Sequence, residues 1–311
     1  IGGDIDLEGS IDVNGTANLD VVDIDGAVDM ATTLAVAGNV DFNGDLDVDG
    51  TTETDVLTIN GSQFNYKAFG TSSIMIGDTT TGTIDAANYN TGLGVDVFAA
   101  LTSGDENTAV GTGALGSSTT ASGNTAVGRN ALLANTTGTR NTALGYATLD
   151  ASTTGDYNTA VGGLALSTNT TADNNTGVGF QALYLNTTGT ANTAVGALSL
   201  DANTTASHVT AVGKGALGAN TTGTRNTAVG SEAADAINTG QDNTAIGSLA
   251  LSADTKGNYS TAIGRGALKT QNFTSSTSAH NTAVGYGAGE AVTTGANNTL
   301  IGGLAGDAIT T

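Results

Sequence analysis

The sequence lacks cysteine, proline and tryptophan, and aromatic residues make up only 4% of its 311 positions. Without cysteine there can be no disulfide, thiolate metal site or cysteine nucleophile. With so few aromatic side chains, little is available to fill the thick core of a conventional globular domain. No apolar run approaches the about 18 residues that a membrane-spanning helix needs, so we expect no membrane insertion.

Positive charge is also scarce, with 8 Lys and Arg against 29 Asp and Glu and a formal net charge of −21. Residues 1–62 contain 14 of the acids and no Lys or Arg, so they carry −14 and residues 63–311 carry −7. A chain this acidic repels phosphate backbones, which argues against nucleic acid as a partner.

Glycine is abundant, with 46 residues, and residues 73–311 consist of a repeat of 17 residues. A full copy reads N-T-A-V-G-x-x-A-L-x-x-N-T-T-G-x-x, and fourteen copies follow one another, one of them extended to 21 residues at 260–280. Position 5 is Gly in every copy, and we expect these glycines to be structural. They include Gly111, Gly128, Gly145, Gly162, Gly179, Gly196, Gly213, Gly230, Gly247 and Gly264.

This repeat predicts an all-β fold, a parallel β-solenoid (β-roll) with one coil per copy. Asn-Thr-Thr-Gly is typical of strands and turns, and the frequent Gly disfavours helix. Because side chains alternate along a strand, positions 2 and 4 face one side and positions 3 and 5 the other. We expect two short strands and two turns per coil, with the apolar residues of positions 4 and 9 inside and a hydrogen-bonded ladder of Asn at position 1.

Residues 1–62 carry a different repeat, apolar-x-apolar-x-Gly, which predicts an Asp-rich β-helical section of short strands. Such strands have no core unless other chains provide one, so we expect a homotrimer, either intertwined or side by side. Residues 63–72 would form the junction. The residues expected near the trimer axis are Ile5, Ile11, Val22, Leu46 and Leu57.

The element A-[VI]-G-x-x-A, as in Ala109-Val110-Gly111 with Ala114, resembles the head repeat of trimeric autotransporter adhesins. The longer pattern NTAVGxxAL…NTTG is similar to the shaft repeats of phage tail fibres. The resemblance covers residues 73–311 and implies a trimeric β-roll that is extracellular and contacts host surfaces. The head repeat of the adhesins is usually shorter than the 17 residues found here.

We therefore expect a structural or adhesive fibre, the shaft or receptor-contacting part of a phage tail fibre or extracellular filament. The head of a bacterial surface adhesin is the alternative within that class. The partners of such a fibre would be further copies of itself and cell-surface glycans or a receptor.

A carbohydrate-active enzyme on a solenoid is the alternative of another class, but it would need acids or histidines clustered at one level. Here the acids of the repeat region are scattered, so we nominate no catalytic residue and expect no enzyme.

Two metal sites can be considered, although we otherwise expect no cofactor. Asp45, Asp47 and Asp49 fit the first half of a calcium loop, but the twelfth position is Val56 rather than Glu. An acidic, solvated strand face explains the same residues. His208 and His280 each precede a repeat copy, and a trimer would bring three of each around its axis. Exposed turn residues are the simpler interpretation.

Position 12 of several copies is the Asn of an N-x-[ST] acceptor, which could carry glycans along one edge. These residues are Asn135, Asn169, Asn186, Asn203 and Asn220.

Ice binding would require Thr-x-Thr on one face, whereas Thr136 and Thr137 are adjacent and must point to opposite sides. This geometry argues against ice binding.

Overall fold

A computed structural model of the protein describes residues 57–59, 62–64, 66–69, 73–77 and 87–311. These residues form strands and turns, and none of them is helical. The first strands are β1 (Leu57–Ile59), β2 (Ser62–Phe64) and β3 (Tyr66–Phe69). β1 pairs with β2 in an antiparallel arrangement.

One further strand opens each repeat copy. These strands are β4 (Ser73–Gly77), β5 (Thr91–Gly94), β6 (Thr108–Val110), β7 (Thr125–Val127), β8 (Thr142–Leu144), β9 (Thr159–Val161), β10 (Thr176–Val178), β11 (Thr193–Val195), β12 (Thr210–Val212), β13 (Thr227–Val229), β14 (Thr244–Ile246), β16 (Thr261–Ile263), β18 (Thr282–Val284) and β19 (Thr299–Ile301). The two remaining strands, β15 (Gly257–Asn258) and β17 (Thr277–Ser278), pair with each other.

The repeat strands form a 15-stranded sheet in chain order, with β3 at one end and β19 at the other. β3 is antiparallel to β4, and all other neighbours are parallel. The register matches the repeat, so Thr125 lies beside Thr142 and Ala126 beside Ala143. The fold is a parallel β-solenoid of about twelve turns with about 17 residues per turn, as the repeat predicts.

The interior of the coil differs from the prediction in one respect. Leu at position 9 is buried, as expected, but its partner across the coil is Ala at position 3 and not Val at position 4. Position 4 points outward, and Leu144 there is 46% exposed. The coil is narrow: where Gly177 replaces Ala at position 3, an added Cβ would stand only 3.3 Å from Cγ of Leu166. Leucine therefore fills the space up to the strand and leaves room for Ala alone.

The second strand predicted in each coil is present only in two of the described coils, as β15 and β17, and positions 6 to 11 form consecutive turns. The buried Leu of position 9 has a left-handed backbone, with φ of +50° at Leu115 and Leu149. A non-glycine residue in this region costs about 1–2 kcal/mol. This cost recurs in successive coils because the left-handed backbone conformation directs each Leu side chain into the interior. Burial of the side chain there contributes about 1.5–3 kcal/mol.

Two internal ladders of Asn satisfy backbone groups that the turns would otherwise leave unpaired. At position 1, Asn141 accepts the backbone N–H of Asn158 at Oδ1 (2.9 Å), while its Nδ2 donates to the carbonyl of Gly155 (2.7 Å). At position 12, Asn186 donates to the carbonyl of Gly189 (2.9 Å). The predicted ladder at position 1 is present, and a second one stands inside the coil at position 12.

The long copy at 260–280 keeps the coil closed around a different polar cluster. Position 12 of the preceding copy is Asp254, a fully buried carboxylate. It accepts hydrogen bonds from the backbone N–H groups of Gly257 (3.0 Å) and Phe273 (3.1 Å) and from Nε2 of Gln271 (2.6 Å). Asp254 thus joins the backbone of its own copy to that of the long copy at Phe273.

Candidate binding surface

The outward side of the repeat strands is a continuous, uncharged face made by positions 2 and 4. We call it the strand face. Position 2 is Thr in the coils from β5 onward, and position 4 is Val, Ile or Leu. Thr125, Thr142 and Leu144 are exposed on it. Hydroxyl and apolar groups thus alternate across the strand face at every coil.

Two rows of variable side chains flank the strand face, one at position 6 and the other at position 17. We call them the edge rows. All four arginines of the sequence lie in them: Arg129, Arg140, Arg225 and Arg265. So do the exposed aromatic residues of the described chain: Tyr89, Tyr146, Tyr157, Phe180, Tyr259 and Tyr286. The edge rows are therefore basic and aromatic on an otherwise acidic protein.

Within the edge rows, arginine stacks on the tyrosine of the next coil. The guanidinium of Arg129 lies 5.7 Å from the ring centre of Tyr146, and that of Arg140 lies 5.4 Å from the ring centre of Tyr157. Nη1 of Arg140 also donates a hydrogen bond to the hydroxyl of Tyr157 (2.6 Å). A third pair joins Arg265 to Tyr286 at 5.8 Å. Cation–π stacking of this kind holds the guanidinium in place at an exposed site.

Arg225 is different, because its charge is neutralised within the row. It donates from Nε and Nη2 to the two carboxylate oxygens of Asp242, at 2.6 and 2.9 Å. The hydrogen bond from Arg225 holds the pKa of Asp242 below its ordinary value. This bidentate pairing uses the planar fork of the guanidinium.

The two histidines also belong to the edge rows, where both are exposed turn residues. His208 has φ of +60°, and His280 stacks on Tyr259 with ring centres 5.1 Å apart and planes 7° from parallel. Among the described residues, no group of three or more His, Asp or Glu side chains is arranged to hold a metal ion. Asp45, Asp47 and Asp49, the calcium candidates, lie outside the described residues, as do Ile5, Ile11, Val22 and Leu46; Leu57 is in β1.

The Asn residues considered as glycan acceptors have an internal place in the fold. Asn135, Asn169, Asn186, Asn203 and Asn220 are all fully buried. Their amides donate inside the solenoid, as Asn203 does to Oδ1 of Asn186 in the preceding coil (2.7 Å). A glycan could reach these amides only if the coil opened.

The adjacent threonines considered for ice binding lie in a bend rather than a strand, and they differ in exposure. Thr136 is half-buried, and its hydroxyl donates to the carbonyl of Thr153 (3.0 Å), whereas Thr137 is exposed.

The edge rows were not predicted from the sequence, because the residue type at positions 6 and 17 varies from copy to copy. Sorting the arginines and aromatic residues by repeat position would have found them.

Comparison with protein families, with curated proteins and with solved structures finds no match. The structure alone defines the class of the protein, which is a parallel β-solenoid repeat protein. Within the part of the chain that the structure describes, no helix is long and apolar enough to span a bilayer.

Proposed function

We propose that this chain is the shaft or receptor-contacting part of an extracellular fibre, such as a phage tail fibre or a surface filament. The observation that carries the proposal is the uninterrupted, in-register ladder from β4 to β19. Its backbone hydrogen bonds run from coil to coil, as from Thr125 N–H to the carbonyl of Asn141 (2.9 Å). Bending or extending such a stack would break several of these bonds at each level, so the fold resists both.

The proposed fibre is a homotrimer in which copies associate through the strand face. This face carries no charged side chain at positions 2 and 4 of the coils from β5 onward. Twelve coils at about 4.8 Å extend it over about 60 Å, and its width of about 10 Å gives about 600 Å². That area is of the order of the about 800 Å² that each partner buries in a standard interface. The expected partners beyond the trimer are surface glycans or a receptor, and no catalytic role is proposed.

Light scattering and electron microscopy test this proposal. Purified full-length chain should have a molar mass of three times 30.3 kDa and appear as narrow rods. Labelled antibody should decorate a fibre on the particle or cell that produces the protein. A stable monomer in solution would contradict the trimer, and labelling confined to the cytoplasm would contradict the fibre.

The strand face can be tested separately. Val161→Asp and Val195→Asp place charge at position 4, where both residues are only half-buried and face outward. The double variant should remain folded but lose the trimer. Thr137→Asp with Thr188→Asp is the matched control, because position 14 is exposed and lies away from the strand face.

A further inference from the structure

We propose that the edge rows bind an anionic polysaccharide, carboxylated or sulfated, with the principal site at the Arg–Tyr pairs of residues 124–157. The inference rests on the proposed function, since a receptor-contacting fibre needs a surface ligand. It goes further by naming the ligand chemistry and the residues that recognise it.

The distribution of charge is the first argument. Residues 63–311 carry a net −7, yet the edge rows contain all four arginines, Lys214 and both histidines. In the coils from β5 onward, Glu106 and Asp242 are their only acids. Asp156, at position 16 beside the rows, is engaged by the backbone N–H (2.6 Å) and the hydroxyl (3.0 Å) of Thr139. Charges further away than about 8 Å are largely screened at physiological ionic strength, so these nearby groups decide what approaches. An anion is the complementary ligand.

The state of the guanidinium groups is the second argument. Arg129 and Arg140 each lie over a tyrosine ring, and ordering them in advance reduces the entropy lost on binding. A guanidinium has five N–H donors, and Arg140 uses one of them on Tyr157. The remaining donors suit the planar oxygens of a carboxylate or sulfate.

The tyrosine rings of the two pairs are the third argument. Arg140 and Tyr146 lie just before and just after β8, so they border the strand face without belonging to it. Tyr146 and Tyr157 are each 51% exposed, and exposed rings present flat apolar surface with a polar hydroxyl. Polar, apolar and cationic groups together match a sugar ring that carries hydroxyls and an acid group.

The row at position 6 continues beyond this site. Gly163 follows Tyr146 and leaves a gap, after which Phe180 stands 54% exposed. A Cβ on Gly163 would meet nothing closer than the ring of Phe180, at 3.8 Å. The rings of Tyr146 and Phe180 are separated by two coils, or about 10 Å. Successive sugar units of an extended polysaccharide could stack on them.

A second copy of the protein is a poorer occupant of the edge rows. Cyclic symmetry places the same coil of each copy at the same height. The row at position 6 of one copy would then approach the row at position 17 of its neighbour. Arg129 would stand within about one coil of Arg140, and Lys214 within about one coil of Arg225, which brings like charges close together. A polyanion would neutralise those same pairs.

The test measures retention of the full-length chain on immobilised heparin (sulfated), hyaluronan (carboxylated) and neutral dextran over a range of sodium chloride concentrations. We expect salt-sensitive binding to at least one anionic polymer and none to dextran. Arg129→Ala with Arg140→Ala should weaken it about tenfold or more, because charged hydrogen bonds are lost. Tyr146→Ala with Tyr157→Ala should weaken it several-fold.

The chain provides its own control. Arg225→Ala removes one positive charge from the row that contains Arg140, but Arg225 is already paired with Asp242. The affinity of this variant should therefore stay within about twofold of that of the unmodified chain, and Arg140→Ala is the single variant to compare with it. The thermal midpoint of each variant shows whether the coils remain folded. Retention on heparin and hyaluronan distinguishes a sulfated from a carboxylated ligand.

Four results would overturn the inference: no binding to either anionic polymer, equal binding to dextran, full affinity in the double arginine variant, or a changed molar mass in that variant. The last would identify the edge rows as a contact between copies. Absence of glycan binding by a trimeric rod would leave the fibre proposal standing. Glycan binding by a monomer would instead leave the inference standing and contradict the trimer.

Discussion

The backbone of Gly111 lies so close to the next coil that a Cβ on it would stand 2.7 Å from the carbonyl carbon and oxygen of Gly128. Its φ of +123° is also a conformation that side chains with a Cβ rarely adopt. Gly111→Ala should therefore destabilise the solenoid by about 3 kcal/mol, combining strain and overpacking. Chemical denaturation monitored by circular dichroism measures this loss.

Gly163→Ala is the matched control for that substitution. Gly163 follows the close-contact glycine of its own coil, and its added Cβ would have 3.8 Å of clearance. We expect a change within about 0.5 kcal/mol, as for most surface substitutions. Equal losses in the two variants would show that close approach of the coils is not what requires glycine at position 5.

A second prediction concerns the left-handed residues at position 17. Ala191 is exposed with φ of +56°, whereas Ala197, at position 6 of the next coil, is exposed without a positive φ. Ala191→Gly should stabilise the protein by up to about 1 kcal/mol because glycine relieves the strain of the left-handed region. Ala197→Gly should destabilise it slightly through the added freedom of the unfolded chain. A reversed order of the two midpoints in urea would contradict this explanation.

Much of this fold could be predicted from the repeat, because a fixed period with Gly at one position requires equivalent residues to stack. The direction in which Ala126 and Val127 point could not be predicted in the same way. Alternation allows either choice, and hydrophobicity favours burying Val. The narrow coil leaves room for Ala126 but not for Val127 inside, so Val127 points outward. That width depends on the left-handed turn at Leu132. A bulky residue in this conformation has no local sequence signature.

The candidate site was harder to predict than the fold. Arg129 and Arg140 occupy positions 6 and 17, which elsewhere hold residue types as different as Gly, Ser, Tyr, Lys and Asp, so no motif marks them. Their proximity to Tyr146 and Tyr157 follows only from the stacking of one coil on the next. Once a period of 17 is known, that stacking brings together any two residues 17 apart.

A third prediction concerns pH. Asp235 is half-buried, and burial is the main cause that raises the pKa of its carboxyl above the ordinary value. Its Oδ1 is buried without a hydrogen-bond partner among the described residues. An acid whose pKa is higher in the folded state favours folding while protonated, and this contribution is lost as the pH rises through the folded pKa. The charged form therefore destabilises the coil at neutral pH.

Asp235→Asn should remove that effect. The variant should match the unmodified protein in stability at acid pH and become the more stable of the two as the pH rises towards 7. Asp242→Asn is the control of opposite sign, because pairing with Arg225 lowers the pKa of Asp242. The stability lost in Asp242→Asn should be complete above the ordinary pKa of aspartate and should vanish as the pH falls through the lowered pKa of the folded state. Urea midpoints across this pH range measure both, and parallel curves for Asp235→Asn would refute the burial argument.

The last prediction concerns Asp254 and Gln271, which stack in the interior 17 residues apart. Gln271 donates from Nε2 to Asp254 (2.6 Å), while its Oε1 accepts from Nδ2 of Asn281 (2.8 Å). This fixes the orientation of the amide. Asp254→Asn keeps an oxygen for the backbone N–H groups of Gly257 and Phe273 but turns an N–H₂ group towards the N–H₂ of Gln271. We expect a loss of about 1–3 kcal/mol from the unsatisfied donors.

Exchanging the two groups should restore most of that stability. In Asp254→Asn with Gln271→Glu, the new amide donates to the new carboxylate, which still accepts from Asn281, and the hydroxyl of Ser260 can turn to donate. Each single substitution should be destabilising, so a double-mutant cycle should give a coupling energy of about 1–3 kcal/mol. If the losses of stability in the two single variants simply add in the double variant, the side chains of residues 254 and 271 do not interact. Packing, rather than this hydrogen bond, would then account for the carboxylate at this level of the solenoid.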